Sequence, residues 1–175
     1  MRPWVDVPKL HAFMAGIGRA AQSPGRVYLV GGSTALLLGF REQTIDIDIK
    51  LEPEPLGVFE AIAELKNNLQ VNVELASPYQ FIPAIPGWEQ RSEFIAHFGE
   101  VDFFHYDFYG QSLAKILRGH VTDVADAKAL VLSSKVSVQR LADLYASIRP
   151  DLKRYPAIDA EDFDRRVAEF VENKS

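Results

Sequence analysis

No cysteine occurs in this 175-residue chain. That excludes a disulfide scaffold, a thiolate nucleophile and a cysteine-bound metal centre. It also fits the cytoplasm, which is the expected location. No run of about 18 apolar residues exists, so no membrane span is expected. The opening Met1-Arg2-Pro3-Trp4-Val5-Asp6 lacks the apolar stretch of a secretory signal. Neither G-x-x-x-x-G-K-[ST] nor G-x-G-x-x-G is present, so this is neither a P-loop nor a Rossmann fingerprint. His97, His105 and His120 are scattered and never reach H-E-x-x-H spacing. No internal repeat and no low-complexity segment interrupts the chain. What remains is an ordinary globular composition, 47% hydrophobic and 25% charged, long enough for one domain with a proper core.

Charge is unevenly spread. The net charge of −5 does not advertise nucleic-acid binding by the molecule as a whole. Residues 1–114 hold 8 basic and 14 acidic side chains, whereas residues 115–154 hold 8 basic and 4 acidic. Residues 155–175 turn acidic again, with 3 basic and 6 acidic. The middle block could offer a local basic face to phosphates or RNA, or be a solvated helix surface.

Periodicity sets out the elements. Leu10, Phe13, Met14 and Ile17 predict a helix from Pro8 to Ala21, broken by Ser23-Pro24-Gly25. Val27 to Val30 reads as a short buried strand. Gly31-Gly32 turns the chain, and Ser33 can cap a short helix that Gly39 ends. Thr44 to Leu51 alternates, with Ile45, Ile47, Ile49 and Leu51 on one face and Asp46, Asp48 and Lys50 on the other. A helix over Leu56–Leu69 and a strand over Val71–Leu75 follow. Ala76 to Glu93, with three prolines and a glycine, reads as a long loop. Phe94–His97 and Val101–His105 suggest a hairpin about Gly99. From Tyr109 onward the pattern is helical, in segments around Leu113–Leu117, Thr122–Leu132 and Val138–Ile148. A proline-containing linker over Arg149–Ala157 precedes a last helix capped by Asp159. The expected fold class is α/β (α+β): a small mixed sheet flanked by helices over about 8–107, then a helical part over about 108–175, packed as one domain.

The chemistry concentrates in Gly31-Gly32-Ser33 and, twelve residues later, Asp46-Ile47-Asp48. A strand–turn–helix junction of small residues lets backbone N–H groups approach an anion, and the Ser33 hydroxyl can add a bond. Alone, the same residues read as a tight turn with an ordinary N-cap. Asp46 and Asp48 are more pointed. Positions i and i+2 of a strand share a face, the two carboxylates repel, and aspartate is a poor strand former. Flanking isoleucines commit the strand to the core, so the acidic face needs a purpose. Mg²⁺ supplies one, being bound by a few carboxylates plus substrate phosphates. Asp102, in the apolar run Val101-Asp102-Phe103-Phe104, is the expected third carboxylate, with Glu100 as its rival. Three carboxylates can hold two Mg²⁺ ions, or Mn²⁺, and position a phosphoryl or nucleotidyl transfer. Arg41 and Thr44 precede the acidic strand and could touch a triphosphate or fix the loop. His105 falls opposite Asp102 by strand parity and reads as structural, as does the aromatic run Phe103, Phe104, Tyr106, Phe108 and Tyr109.

These motifs resemble the nucleotidyltransferase superfamily typified by DNA polymerase beta. The wording Val30-Gly31-Gly32-Ser33-Thr34-Ala35-Leu36 and Arg41-Glu42-Gln43-Thr44-Ile45-Asp46-Ile47-Asp48-Ile49 is most similar to the small prokaryotic branch related to abortive-infection and MenT-type toxins. The resemblance covers about residues 10–132. It implies one bound NTP with Mg²⁺ and transfer of a nucleotide to a hydroxyl on RNA such as tRNA, on protein or on a small molecule. It further implies a toxin–antitoxin setting and so a possible antitoxin partner. In that branch a downstream helix brings a lysine to the triphosphate, followed by aspartates; Lys115, Asp123 and Asp126 occupy those places here. Two other functions suit the same residues: a non-catalytic antitoxin or nucleotide sensor, and an aminoglycoside-type nucleotidyltransferase.

Overall fold

The structure, a computed structural model, describes residues 3–76 and 78–173. They divide into two compact units, one of residues 3–76 and 92–106, the other of residues 78–91 and 107–173.

The first unit is built on a five-stranded mixed sheet. Helix α1 (Val7–Ala20) starts where the Asp6 carboxylate accepts from the Lys9 N–H, with Pro8 in the first turn. Then come β1 (Gly25–Val30), α2 (Gly32–Leu37), β2 (Asp46–Leu51), α3 (Val58–Leu69) and β3 (Asn72–Leu75). The sheet order is β3-β2-β1-β5-β4, where the fourth and fifth strands are Glu93–Phe98 and Val101–His105. β1 runs antiparallel to β2 and parallel to β5. β3 lies parallel to β2, and β4 closes the other edge antiparallel to β5.

Alternation places the core. Val27 and Leu29, Ile47 and Ile49, Val73, and Val101 and Phe103 bury one sheet face together with Leu10, Phe13, Met14 and Ile17 of α1 and Val58 and Ile62 of α3. By the period of two, the opposite face carries Arg26, Tyr28 and Val30 on β1. It carries Asp46, Asp48 and Lys50 on β2, Asn72 and Glu74 on β3, and Asp102 and Phe104 on β5. The expected alternation of β2 is therefore present, except that Ile45 precedes the strand and is 39% exposed.

In the second unit the segment read as a loop holds two short helical pieces, a 3₁₀ turn at Pro78–Gln80 and α4 (Trp88–Arg91). Arg91 grips Asp107 with both arms, Nε at 3.1 Å and Nη2 at 2.7 Å, and also donates to the carbonyls of Ile85 and Pro86. Four helices follow: α5 (Phe108–Arg118), α6 (Val121–Leu132), α7 (Val138–Ile148) and α8 (Ala160–Glu172). The linker between α7 and α8 contains a 3₁₀ helix over Arg149–Arg154. Leu113, Ile116, Leu130, Leu141, Phe163 and Phe170 are among the buried side chains of this unit. Tyr145 meets Phe163 edge to face at 4.8 Å.

Candidate active site

The Gly-Gly turn works through two different physical requirements. Gly31 has φ 63° and ψ −125°, a conformation that side chains resist, and this bend turns β1 into α2. A Cβ at Gly31 would also stand 3.3 Å from Asp48 Oδ2, so the carboxylate lies directly against the turn. Gly32 answers to space. A Cβ there would collide with the Thr44 hydroxyl, lie 2.9 Å from Thr44 Cβ, and come within 3.5 Å of Arg41 Nη1. Thr44 cannot retreat, because its backbone exchanges two hydrogen bonds with Val5, at 2.7 and 2.9 Å. The structure thus brings Gly31, Gly32, Arg41, Thr44 and Asp48 together.

Ser33, next in the chain, is fully buried, and its Oγ finds no hydrogen-bond partner among the described residues. A buried hydroxyl left unmet costs about 1–3 kcal/mol. It is closed to solvent, so the half-buried Gly31, Gly32 and Asp48 form the accessible part of the turn.

Asp46 and Asp48 share the face of β2 opposite Ile47 and Ile49, as their spacing requires, and both are half-buried. Asp46 accepts from the Asn72 amide at 2.7 Å. The same amide nitrogen lies 3.4 Å from Glu74 Oε1. In the parallel β2–β3 register, Asp46 stands beside Asn72 and Asp48 beside Glu74. Glu74 is therefore the acid that neighbours the pair, and sequence reasoning missed it. Its signal was the polar parity of Asn72 and Glu74 about Val73, but only the strand pairing shows which strand they face.

Asp102 is the correction. It lies on the expected sheet face but at the wrong level. Asp48 pairs with Val30, whereas Asp102 pairs with Arg26, four residues earlier on β1. Four residues along a strand is about 13 Å and two strand spacings about 10 Å, which separates the two backbone positions by about 16 Å. Two-metal sites need ions only about 4 Å apart. The Asp102 carboxylate instead meets His97 Nδ1 at 2.6 Å on the edge strand. Glu100 is no substitute, since it lies two residues farther down, where its carbonyl accepts from the Gly25 N–H. Among the described residues no three His, Cys, Asp or Glu side chains come close enough to hold a metal ion by themselves. The donor chemistry still suits a hard cation: two strand carboxylates can take it when substrate oxygens complete the shell.

The helical unit assembles Lys115, Asp123 and Asp126. Lys115 ends α5 and Asp123 begins α6, each at the helix end that favours its charge. Lys115 Nζ lies 3.0 Å from Asp126 Oδ2 and 3.9 Å from Asp123 Oδ1, while Arg118 Nε stands 3.4 Å from Asp123 Oδ2. All three residues of the trio are buried. His105, as expected, is structural: its Nδ1 meets Thr34 Oγ1 at 3.0 Å, tying β5 to α2. Of the aromatic run, Phe103, Tyr106 and Phe108 are buried, while Phe104 and Tyr109 are half-buried.

A mixed sheet with a glycine turn pressed against paired strand carboxylates is the arrangement of a nucleotidyltransferase. A model of the family described as a nucleotidyltransferase of unknown function (DUF6036) matches residues 9–174, and the chain belongs to that family. No curated protein and no solved structure matches the chain. No helix among the described residues is long and apolar enough to cross a membrane.

Proposed function

We propose that this nucleotidyltransferase is magnesium-dependent and moves a nucleoside monophosphate from an NTP to a hydroxyl on RNA such as tRNA, or on protein. The observation that carries this reading is the carboxylate pair Asp46 and Asp48 on one strand face, with Asp48 against the Cβ-less Gly31. Asp46 and Asp48 would hold Mg²⁺, which when bound neutralises phosphate charge and favours the ionised form of the attacking hydroxyl. Gly31 and Gly32 admit the polyphosphate close to backbone, and Arg41 beside Gly32 adds a cation. Asn72 holds Asp46 in place. The acceptor oxygen bonds to the α-phosphorus, the bond from that phosphorus to the bridging oxygen breaks, and pyrophosphate leaves. The hydroxyl proton passes to a carboxylate of the Asp46, Asp48 and Glu74 group. By its resemblance to abortive-infection and MenT-type toxins, the activity would serve a toxin–antitoxin system.

One observation favours a second reading. With Asp102 displaced, no three acidic side chains among the described residues converge closely enough to hold a metal ion by themselves, which suits a module that binds NTP without turning it over, as an antitoxin or nucleotide sensor. One experiment separates the two. The protein is incubated with each α-labelled NTP, Mg²⁺ and total tRNA, and label is sought on RNA and on the protein itself. The catalytic reading expects transfer that Asp46→Ala and Asp48→Ala abolish and Asp102→Ala retains, with none of the three lowering the melting temperature substantially. NTP uptake without pyrophosphate release supports the sensor, and full activity in Asp46→Ala or Asp48→Ala refutes the metal assignment.

A further inference from the structure

The helical unit carries a cleft of about 350 Å³ whose apolar floor comes from Ile116, Val124 and Phe170. Three cations stand around it, Lys128 on α6 and Arg165 and Arg166 on α8. Two carboxylates of α8 answer them. Asp162 accepts from Arg166 Nε at 2.7 Å and from Arg165 Nη2, and Glu169 accepts from Arg165 Nη1 at 3.1 Å. The outer end of Arg166 is also fixed: its Nη1 lies against Gly119, where a Cβ would overlap it. Gly119 is the left-handed residue that ends α5, so this guanidinium stands at the carbonyl end of that helix. Both arginines are thus matched. Lys128 is not. Among the described residues it makes no hydrogen bond, ion pair or ring contact, although it is half-buried. A partly desolvated ammonium without a counter-ion is unfavourable, and one positive charge is left over in the cleft.

We infer that this cleft binds a small organic acid of single negative charge, a carboxylate on an apolar body, with Lys128 as its counter-ion. Three features select this class. One unmatched cation calls for one negative charge. The floor of Ile116, Val124 and Phe170 gives an apolar body a place out of water. The volume lies near the small end of sites that enclose organic ligands, about 300–1,000 Å³. A doubly charged phosphate fits less well. Gly119 and Asn173, which cap α5 and α8, both line the cleft, so two helices bring their negative ends to it. A single carboxylate held at Lys128 satisfies the lysine, and an apolar body rather than a second charge meets those ends. The site goes beyond the proposed function and stands without it, because binding here needs neither NTP nor magnesium.

The test uses the full chain in low-salt buffer lacking NTP and magnesium. Phenylacetate is the probe, followed by calorimetry and by saturation transfer to the probe in NMR. Phenylacetamide, its neutral counterpart, acetate and phenyl phosphate are titrated alongside. The native chain should take up phenylacetate about tenfold more tightly than phenylacetamide or acetate, the worth of one hydrogen bond to a charged group. Lys128→Gln should bring phenylacetate down to the level of the amide, and Lys128→Arg should keep it. The weak binding of the amide should be the same in all three proteins, and their melting temperatures should agree, so that a lost affinity is not a lost fold. Val124→Phe fills the floor and should remove both aromatic probes, which locates the binding. No uptake of phenylacetate by the native chain, or equal affinity in Lys128→Gln, overturns the inference. Tighter binding of phenyl phosphate than of phenylacetate overturns the single-charge assignment.

Discussion

Replacing Gly32 by alanine tests the glycine turn with the smallest available perturbation. The added Cβ would overlap the Thr44 hydroxyl and stand 2.9 Å from Thr44 Cβ, where carbon atoms prefer about 3.5–4.0 Å. Rotating Thr44 moves the hydroxyl aside but swings the γ-methyl toward the same space. Moving its backbone breaks the two hydrogen bonds to Val5. Overpacking of this kind costs about 1–3 kcal/mol. At about 2–4 °C per kcal/mol for a chain of this size, the melting temperature falls by about 2–12 °C. Thr44→Ala alone removes a hydroxyl and a methyl and costs about 1 kcal/mol. The two changes are coupled, since removing the Thr44 side chain makes room for the new methyl, although the Cβ–Cβ approach remains tight. A double-mutant cycle by thermal unfolding should therefore show part of the Gly32→Ala loss recovered, a coupling of about 0.5–3 kcal/mol. Magnesium–NTP affinity should drop more than tenfold in Gly32→Ala, equivalent to about 1.4 kcal/mol, because the turn must shift to admit the methyl, and should return in part with Thr44→Ala, which makes room for it. An unchanged melting temperature in Gly32→Ala, or strictly additive losses in the double variant, would refute the steric account.

Two further outcomes concern the helical unit. Lys115→Met keeps length but leaves Asp123 and Asp126, 5% and 7% exposed, with less cationic support; removing one partner from such a buried pair costs about 3–5 kcal/mol. Urea unfolding reads that loss, and a change below about 1 kcal/mol would mean that the cluster does not hold α5 to α6. Asp164 sits between Arg149, at 2.7 and 3.0 Å, and the Tyr145 hydroxyl, at 2.6 Å. The hydrogen bonds from Arg149 first and Tyr145 second hold its carboxyl below the usual carboxylate range. A depressed folded value means that the contribution is present above the unfolded value of about 3.9 and is lost as pH falls through the folded one. Asp164→Asn should therefore lower the melting temperature at neutral pH and flatten the acid limb, the two curves converging at low pH. The carboxylate is 43% exposed, so the effect stays below about 1 kcal/mol. Parallel curves from neutral to acid pH would remove Asp164 from the acid sensitivity.

Parity and turn chemistry made much of the first unit legible. Ile47 and Ile49 went to the core and Asp46 and Asp48 to the other face because a strand has a period of two, and nothing non-local is needed to see it. The same rule put Asp102 on that face correctly. Parity cannot say how far along its strand a residue stands relative to a neighbour, and that depends on register between segments far apart in the chain. The parallel pairing of β1 with β5 sets Asp102 beside Arg26, and no local pattern announces it. Glu74 escaped for the converse reason: its strand was visible, but its place beside β2 was not. The segment 76–93 shows a third limit. Its prolines and glycine signal irregular chain, yet Arg91 is held by Asp107, sixteen residues on, in a contact that no short window contains.

A single strand separates stability from chemistry. On one face of β2, Ile47 and Ile49 are fully buried, and truncating either to alanine would cost about 2–5 kcal/mol. On the other face, Asp46 and Asp48 repel each other, and Glu74 adds a third negative charge beside them. Asn72 relieves little of this, since one amide nitrogen serves both Asp46 and Glu74. The opposite face, with Ile47 and Ile49 in the core, holds the strand in place. Neutralising an aspartate there should leave the fold as stable or more stable while removing the chemistry, the usual sign of a site that gives up stability for function. An acidic face with no task would show the reverse: substitutions that move neither activity nor cation uptake.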